Sequence, residues 1–141
     1  MWRYIRYKLF ARKAEKELAE QYNGLRESAI EWNVTTLTEN TLLMQIRKVA
    51  EEVNEVLDAI EHNPANIIPE KADVLISIWG LSAFNTKLGL VAEETFMKVN
   101  SITGDSISDI LDAAGEKLIE LNTRTYTKRN GVYHHQKRTI N

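Results

Sequence analysis

The chain has 141 residues, no cysteine and a formal net charge of −2. That length suits a single domain with a real core, and 43% hydrophobic with 27% charged residues is an ordinary globular balance. Disulfides and thiolate metal sites are excluded, no apolar run reaches the roughly 20 residues of a membrane span, and Met1 to Lys8 lacks the apolar stretch of a secretory signal, so cytoplasmic residence is expected.

Two prolines, six glycines and mostly helical apolar spacing predict an all-α bundle of about four to five helices. A first helix is expected from about Ile5 to Gln21, and the pattern is compatible with its continuing past Gly24 to Trp32. Its start is basic, with Arg3, Arg6, Lys8, Arg12, Lys13 and Lys16 interleaved with Trp2, Tyr4, Tyr7 and Phe10. Asn33 to Thr38 breaks the pattern, and Thr38 suits an N-cap. The next helix, about Glu39 to Glu61, carries one apolar stripe of Leu42, Leu43, Ile46, Val49, Ala50, Val53, Val56, Leu57 and Ile60. Gln45, Lys48, Glu52 and Glu55 fall within a sector of roughly 80° at the edge of that stripe. A side chain at such an edge enters a cleft between helices.

His62 to Ile68 reads as a loop, and Pro69 suits the first turn of a helix running to about Lys87. Val74, Leu75, Ile78, Trp79, Leu81, Ser82 and Phe84 are expected to be largely buried there, and Gly89 fits a C-terminal stop. A shorter helix is expected from about Val91 to Ser101, then a turn at Thr103-Gly104-Asp105. The last helix, about Ile107 to Leu121, starts from a Ser106 or Asp105 cap and aligns Ile107, Ile110, Leu111, Ala114 and Leu118 on one face. The end, from Thr127 to Asn141, is polar and basic and is expected to be irregular. Residues 1–141 thus read as one domain, with a basic helical extension over 1–31, a core over 32–126 and a tail over 127–141.

Two acidic pairs stand out, Glu52 with Glu55 and Glu70 with Asp73. Residues three apart on a helix are surface neighbours, so each pair aims two carboxylates at one point. Antiparallel packing of the two helices would bring all four together. Four anions share a small volume only with cations among them, and an all-oxygen ligand set favours Mg²⁺ or Mn²⁺. Each pair also has a structural explanation. Acidic residues in a first turn, such as Glu70 and Asp73, stabilise the helix dipole, and Lys48 can pair with Glu52 at i, i+4.

The run Glu51-Glu52-x-x-Glu55, fourteen intervening residues, then Glu70-x-x-Asp73 resembles the EExxE…ExxD signature of the MazG-like all-α nucleoside triphosphate pyrophosphohydrolases. Upstream, Gln45-x-x-Lys48-x-x-Glu51-Glu52 looks like the lead-in of many small members, and downstream Ala72-Asp73-Val74-Leu75 matches the segment after the second pair. Lys117-Leu118 with Asn122-x-Arg124-x-Tyr126 is similar to the element that ends the family's catalytic core. The likeness covers roughly Trp32 to His135 and is densest from Gln45 to Leu75. Lys98 and Asn100 lie nearer the family's usual spacing for the closing Lys/Asn element, so they stand as second choices to Lys117 and Asn122.

The resemblance implies hydrolysis of (deoxy)nucleoside triphosphates to monophosphate and pyrophosphate. It implies Mg²⁺ or Mn²⁺ on Glu52, Glu55, Glu70 and Asp73, with Glu51 or Glu55 orienting or deprotonating the attacking water. Gln45, Lys48, Lys117, Asn122, Arg124, Tyr126 and Trp32 become candidate substrate contacts, and a homodimer or homotetramer is expected. A phosphoribosyl-ATP pyrophosphohydrolase uses the same carboxylates on a different substrate. A reading of another class is a non-catalytic helical module that meets nucleic acid or an anionic membrane through its basic first helix. Nucleic acid is not a partner expected of the enzyme.

Overall fold

The structure, a computed structural model, describes the backbone of residues 2–123, 125–129 and 132–136, and the side chains of residues 12–123 and of Tyr133. Helix α1 spans Trp2–Thr36, α2 Leu42–His62, α3 Ile67–Leu81, α4 Thr86–Thr103 and α5 Ile107–Leu121, with one 3₁₀ turn at Pro64–Asn66. The fold is an all-α bundle, and among the described residues no helix is long and apolar enough to cross a membrane.

Helix α1 runs unbroken through Gly24, where the space a Cβ would take is open. A mid-helix glycine costs only about 1 kcal/mol against alanine. The second half of α1 is anchored by Leu18, Tyr22, Leu25, Ala29 and Trp32, which pack on the core. The expected extension over 1–31 is therefore partly core. The basic and aromatic side chains from Trp2 to Phe10 lie outside the described residues.

The cap of α2 is Thr41, whose hydroxyl accepts from the Met44 N–H at 3.3 Å, and not Thr38. Leu37 N–H still bonds Asn33 O, and Asn40 N–H bonds Leu37 O, so a turn after α1 delays the next helix by three residues. Helix α3 is the central strut, packed against α1, α2, α4 and α5. From Lys71 to Leu81 every residue but Asp73 is buried, as befits a helix covered all round.

Helix α3 stops at Leu81, short of the expected Lys87, because Asn85 caps a new helix by accepting from Leu88 N–H at 2.9 Å. The turn leaves Ser82 half-buried and Phe84 exposed. Gly89 is no stop: it lies buried within α4, where a Cβ would collide with the Ser82 side chain and backbone. The real terminus is Gly104, left-handed at φ 80°, as a glycine C-cap requires.

Helix α5 matches its expected bounds. Ser106 caps it, and Ile110, Leu111, Ala114, Leu118 and Leu121 are buried in the core with Leu75 and Trp79. Tyr22 meets Trp79 edge-to-face with ring centroids 5.3 Å apart. Buried Lys71 ties α3 to the α4–α5 junction through Asn100, Thr103 and Asp105.

Two further expectations change. The tail is not irregular throughout: strands β1 (Thr125–Arg129) and β2 (Val132–Gln136) pair antiparallel, with Arg129 opposite Val132 at the turn. Tyr133 anchors the hairpin, its hydroxyl accepting from the Glu39 N–H at 2.9 Å. The α2 stripe also does not face the core. The buried residues of α2 are Met44, Gln45, Glu52 and Ala59, while Leu43, Ile46, Val53, Leu57 and Ile60 are exposed. The α2 neighbours in the chain are α3, the 3₁₀ turn and β2, and they lie on its polar side.

Candidate metal centre

The i, i+3 spacing and the α2–turn–α3 hairpin bring the two acidic pairs together. Glu52, Glu55, Glu70 and Asp73 each offer an oxygen, and these oxygens all lie within 4.8 Å of one another. Glu52 reaches this point because it sits on the α2 face packed against α3, where it is only 7% exposed. Glu70 is oriented from below: Asn66, four residues earlier, donates to Glu70 Oε1 at 2.8 Å. Two lysines line the rim. Lys48 Nζ is 3.0 Å from Glu52 and 3.6 Å from Glu51, and Lys117 Nζ is 3.4 Å from Asp73.

These two cations do not satisfy the cluster. Oε2 of Glu52 and Oε2 of Glu70 are buried and receive no hydrogen bond from any described donor. Burial, with the carboxylates of Glu52 and Glu70 beside it, pushes Glu55 up to about 8. Asp73 rises to about 6, again through burial first. Lys117 opposes that rise, and Glu52 and Glu70 add to it. Burial alone would lower the Lys48 ammonium, but Glu52, Glu51 and Glu55 outweigh it and hold its pKa above the ordinary value. Like charges so close cannot all ionise without a proton or a cation among them. The four carboxylates could therefore hold a metal ion: one oxygen of each converges, and Glu52 and Glu70 each keep a buried oxygen with no hydrogen-bond partner among the described residues.

Three of the four carboxylates, Glu52, Glu55 and Asp73 but not Glu70, line a cavity of about 220 Å³. Its lining includes Glu51, Glu52, Glu55 and Asp73, the lysines Lys48 and Lys117, and, toward the α1–α2 junction, Trp32, Asn33, Leu37, Asn40, Met44 and Tyr133. Met44 stands eight residues before Glu52, about 12 Å along the helix. The cavity thus runs from an anionic end rimmed by lysines to an end lined by rings and amides.

Of the candidate substrate residues, Trp32, Lys48 and Lys117 line this cavity. Gln45 lines it too, but its amide is committed within the chain. Oε1 accepts from Asn33 at 2.9 Å and Asn40 at 2.8 Å, and Nε2 donates to Ser77 O at 2.8 Å. Gly80 makes room for this network, since a Cβ there would stand 2.8 Å from Asn33 Nδ2 and collide with the Gln45 amide. Asn122 is exposed, its amide turned back onto Leu118 O, and lies outside the lining. Asn100 is held by Lys71 and by Asp105 O, and Lys98 is exposed on α4, so neither second choice reaches the cavity. Trp79 is core. Arg124 and the Tyr126 side chain lie outside the described residues.

Sequence reasoning missed Asn33, Asn40, Asn66 and Tyr133. Asn66 carried a local signal, an amide four residues before Glu70 at a helix start. Asn33 and Asn40 bracket the polar break after α1, where such residues usually mark only a turn. Tyr133 carried none, because only the hairpin brings it to α2. Comparison with protein-family profiles, with curated proteins and with solved structures finds no match to this chain.

Proposed function

We propose that the chain is a Mg²⁺-dependent nucleoside triphosphate pyrophosphohydrolase of the MazG-like kind. The observation that carries this reading is the convergence of Glu52, Glu55, Glu70 and Asp73 on one point, with two of their buried oxygens unpartnered. The resemblance of the Gln45-to-Leu75 segment supplies the substrate class. Mg²⁺, or Mn²⁺ in its place, would be held by those four carboxylates. When bound, such an ion neutralises phosphate oxygens and acidifies a water.

The chain's own residues do the rest. Lys48 and Lys117, at the rim of the anionic end, face the phosphates and stabilise the departing charge. Glu51 lines the cavity but stands outside the cluster of four, which suits it to take the proton of the attacking water. Addition of that water at the α-phosphorus breaks the bond to the β-phosphate oxygen, leaving nucleoside monophosphate and pyrophosphate. Trp32 and Tyr133, at the other end, offer ring faces to a base. A homodimer or homotetramer belongs to the same reading.

The test is a panel of (deoxy)nucleoside triphosphates and phosphoribosyl-ATP with Mg²⁺, read by the release of monophosphate and pyrophosphate. Turnover should fall at least about 100-fold in Glu52→Ala and in Asp73→Ala while far-UV circular dichroism stays helical. No turnover of any nucleotide, with no Mg²⁺ binding by calorimetry, sinks the reading. Turnover confined to phosphoribosyl-ATP assigns the substrate without moving the site.

A further inference from the structure

We infer that Lys71 is a positioning residue of the candidate metal centre: its buried ammonium, anchored at the α4–α5 junction, fixes the turn of α3 that carries Glu70 and Asp73 and so aims both carboxylates at α2. This role rests on the proposed metal site and concerns what holds its second acidic pair in place.

The start of α3 has little else to hold it. Its N-cap, Asn66, makes no side-chain capping bond, and none of Ile67 to Glu70 is fully buried. Ile68 packs on the core only in part. Asn66 donates to Glu70, but it sits at the same helix end and moves with it. Facing this turn is the cluster itself. Four carboxylates whose oxygens lie within 4.8 Å of one another repel, which pushes the start of α3 away from α2. A restraint that opposes this push has to act from the far side of the helix.

Lys71 is the first buried residue of α3, only 6% exposed. It follows Glu70 directly and precedes Asp73 by two residues. At 100° per residue it leaves the helix about 130° from the direction midway between those carboxylates. On that side Nζ donates to Asn100 Oδ1 at 3.0 Å, to Thr103 Oγ1 at 2.7 Å and to the Asp105 carboxylate. An ammonium has three hydrogens, so all are engaged and the direction of the side chain is set. The anchor is itself braced. Asn100 Nδ2 donates to Asp105 O at 2.9 Å, and the left-handed Gly104 returns its N–H to Asn100 O at 2.8 Å. This is also the C-terminal end of α4, where the helix dipole favours a cation. A buried ion pair seldom adds stability over apolar groups of the same size. What the lysine adds is a fixed direction.

Calorimetry with Mn²⁺ alone, on the full chain well below its Tm, tests this. Lys71→Met fills the same space without the three bonds and should weaken Mn²⁺ binding about 10-fold, as loss of a group that orients metal ligands does. Thr103→Val removes one of the three bonds at an exposed position and should weaken binding by less; it decides the matter if Lys71→Met does not fold. Glu93→Gln is the control. It weakens the other polar tether of α4, to Tyr22 and Arg26, and should lower Tm while leaving the Mn²⁺ affinity alone. If Lys71→Met and Thr103→Val bind Mn²⁺ as tightly as the wild type, however far their Tm falls, the positioning role is overturned and the metal site stands. An equal loss of affinity in Glu93→Gln overturns it too, because general loosening then accounts for the effect. A wild type that binds no Mn²⁺ overturns the metal site and this role together.

Discussion

Helices α2 and α5 are alike in several ways and opposite in one. Both are clearly amphipathic, both begin at a hydroxyl cap, and both pack on α3. Helix α5 turns its apolar face inward, where Ile110, Leu111 and Ala114 are fully buried. Helix α2 turns its apolar row outward and presents Gln45 and Glu52 to α3. The difference teaches that amphipathicity locates a face to be covered without saying what covers it. Along α2 the inward position belongs to the groups that build the cavity. Burying them costs stability, which Gln45 recovers through three hydrogen bonds and the carboxylates recover only through a proton or a cation.

The largest expected effect separates the two faces directly. Leu111→Ala should cost about 2–5 kcal/mol, as a cavity in a closed core does. Leu57→Ala, of the same chemistry on α2, should cost no more than about 0.5 kcal/mol at protein concentrations low enough for the monomer. Urea denaturation of both variants measures this. A loss at Leu57 that matched Leu111 at every concentration would mean that its face is covered within one chain, and the contrast would fail.

The next effect depends on the inner face of α2 being charged while that of α5 is apolar. Glu55 and Asp73 have folded pKa values above their ordinary ones, about 8 and about 6. Groups raised in this way bind protons more tightly in the folded state. Their stabilisation is complete below the unfolded carboxylate range, near 4, and is lost as pH rises through 6 and on to 8. Lys48, also raised, contributes stability that persists through this window and fades only well above it. Without divalent ions, Tm should therefore fall between pH 5 and pH 8, by about 5 °C. On the proposed reading, in which the four carboxylates hold Mg²⁺ in the folded state, the ion should restore Tm at pH 8 more than at pH 5. Glu55→Gln should flatten the slope, and Leu111→Ala should lower Tm equally at both pH values. A Tm independent of pH and Mg²⁺ would show that the four carboxylates do not crowd as described.

How much of this was legible follows the same division. Helix α5 could be read to its ends because Ser106, the apolar face and Gly104 all agree. The four carboxylates were legible because i, i+3 spacing is local and α2 leads directly into α3. The split between α3 and α4 was not, because Gly89 reads as a stop and its real task, letting α4 approach Ser82, is a tertiary fact. The direction of the α2 stripe was hidden for a related reason: periodicity is blind to neighbours. Asn100 had the right residue type, yet the buried Lys71 claims it. Tyr133 enters the cavity through a hairpin whose strands are too short and polar to announce themselves.

The smallest effect tests where the two helices are alike. Thr41 and Ser106 each accept one hydrogen bond, from Met44 N–H and Asp109 N–H, both at 3.3 Å. Removing either hydroxyl should cost about 1 kcal/mol, so Thr41→Ala and Ser106→Ala should destabilise to a similar degree. Their local consequences should differ. Fraying the start of α5 loosens a turn whose residues do not line the cavity, whereas fraying the start of α2 loosens Met44 and Gln45, both in the cavity lining. Thr41→Ala should thus speed amide exchange at those residues, and on the proposed function it should raise KM for a nucleotide more than it lowers kcat, while Ser106→Ala should leave both the exchange there and KM unchanged. Thr38→Ala is the matching control and should cost little. If it cost what Thr41→Ala should, α2 would begin three residues earlier and Gln45 would lose the turn that aims it at Ser77.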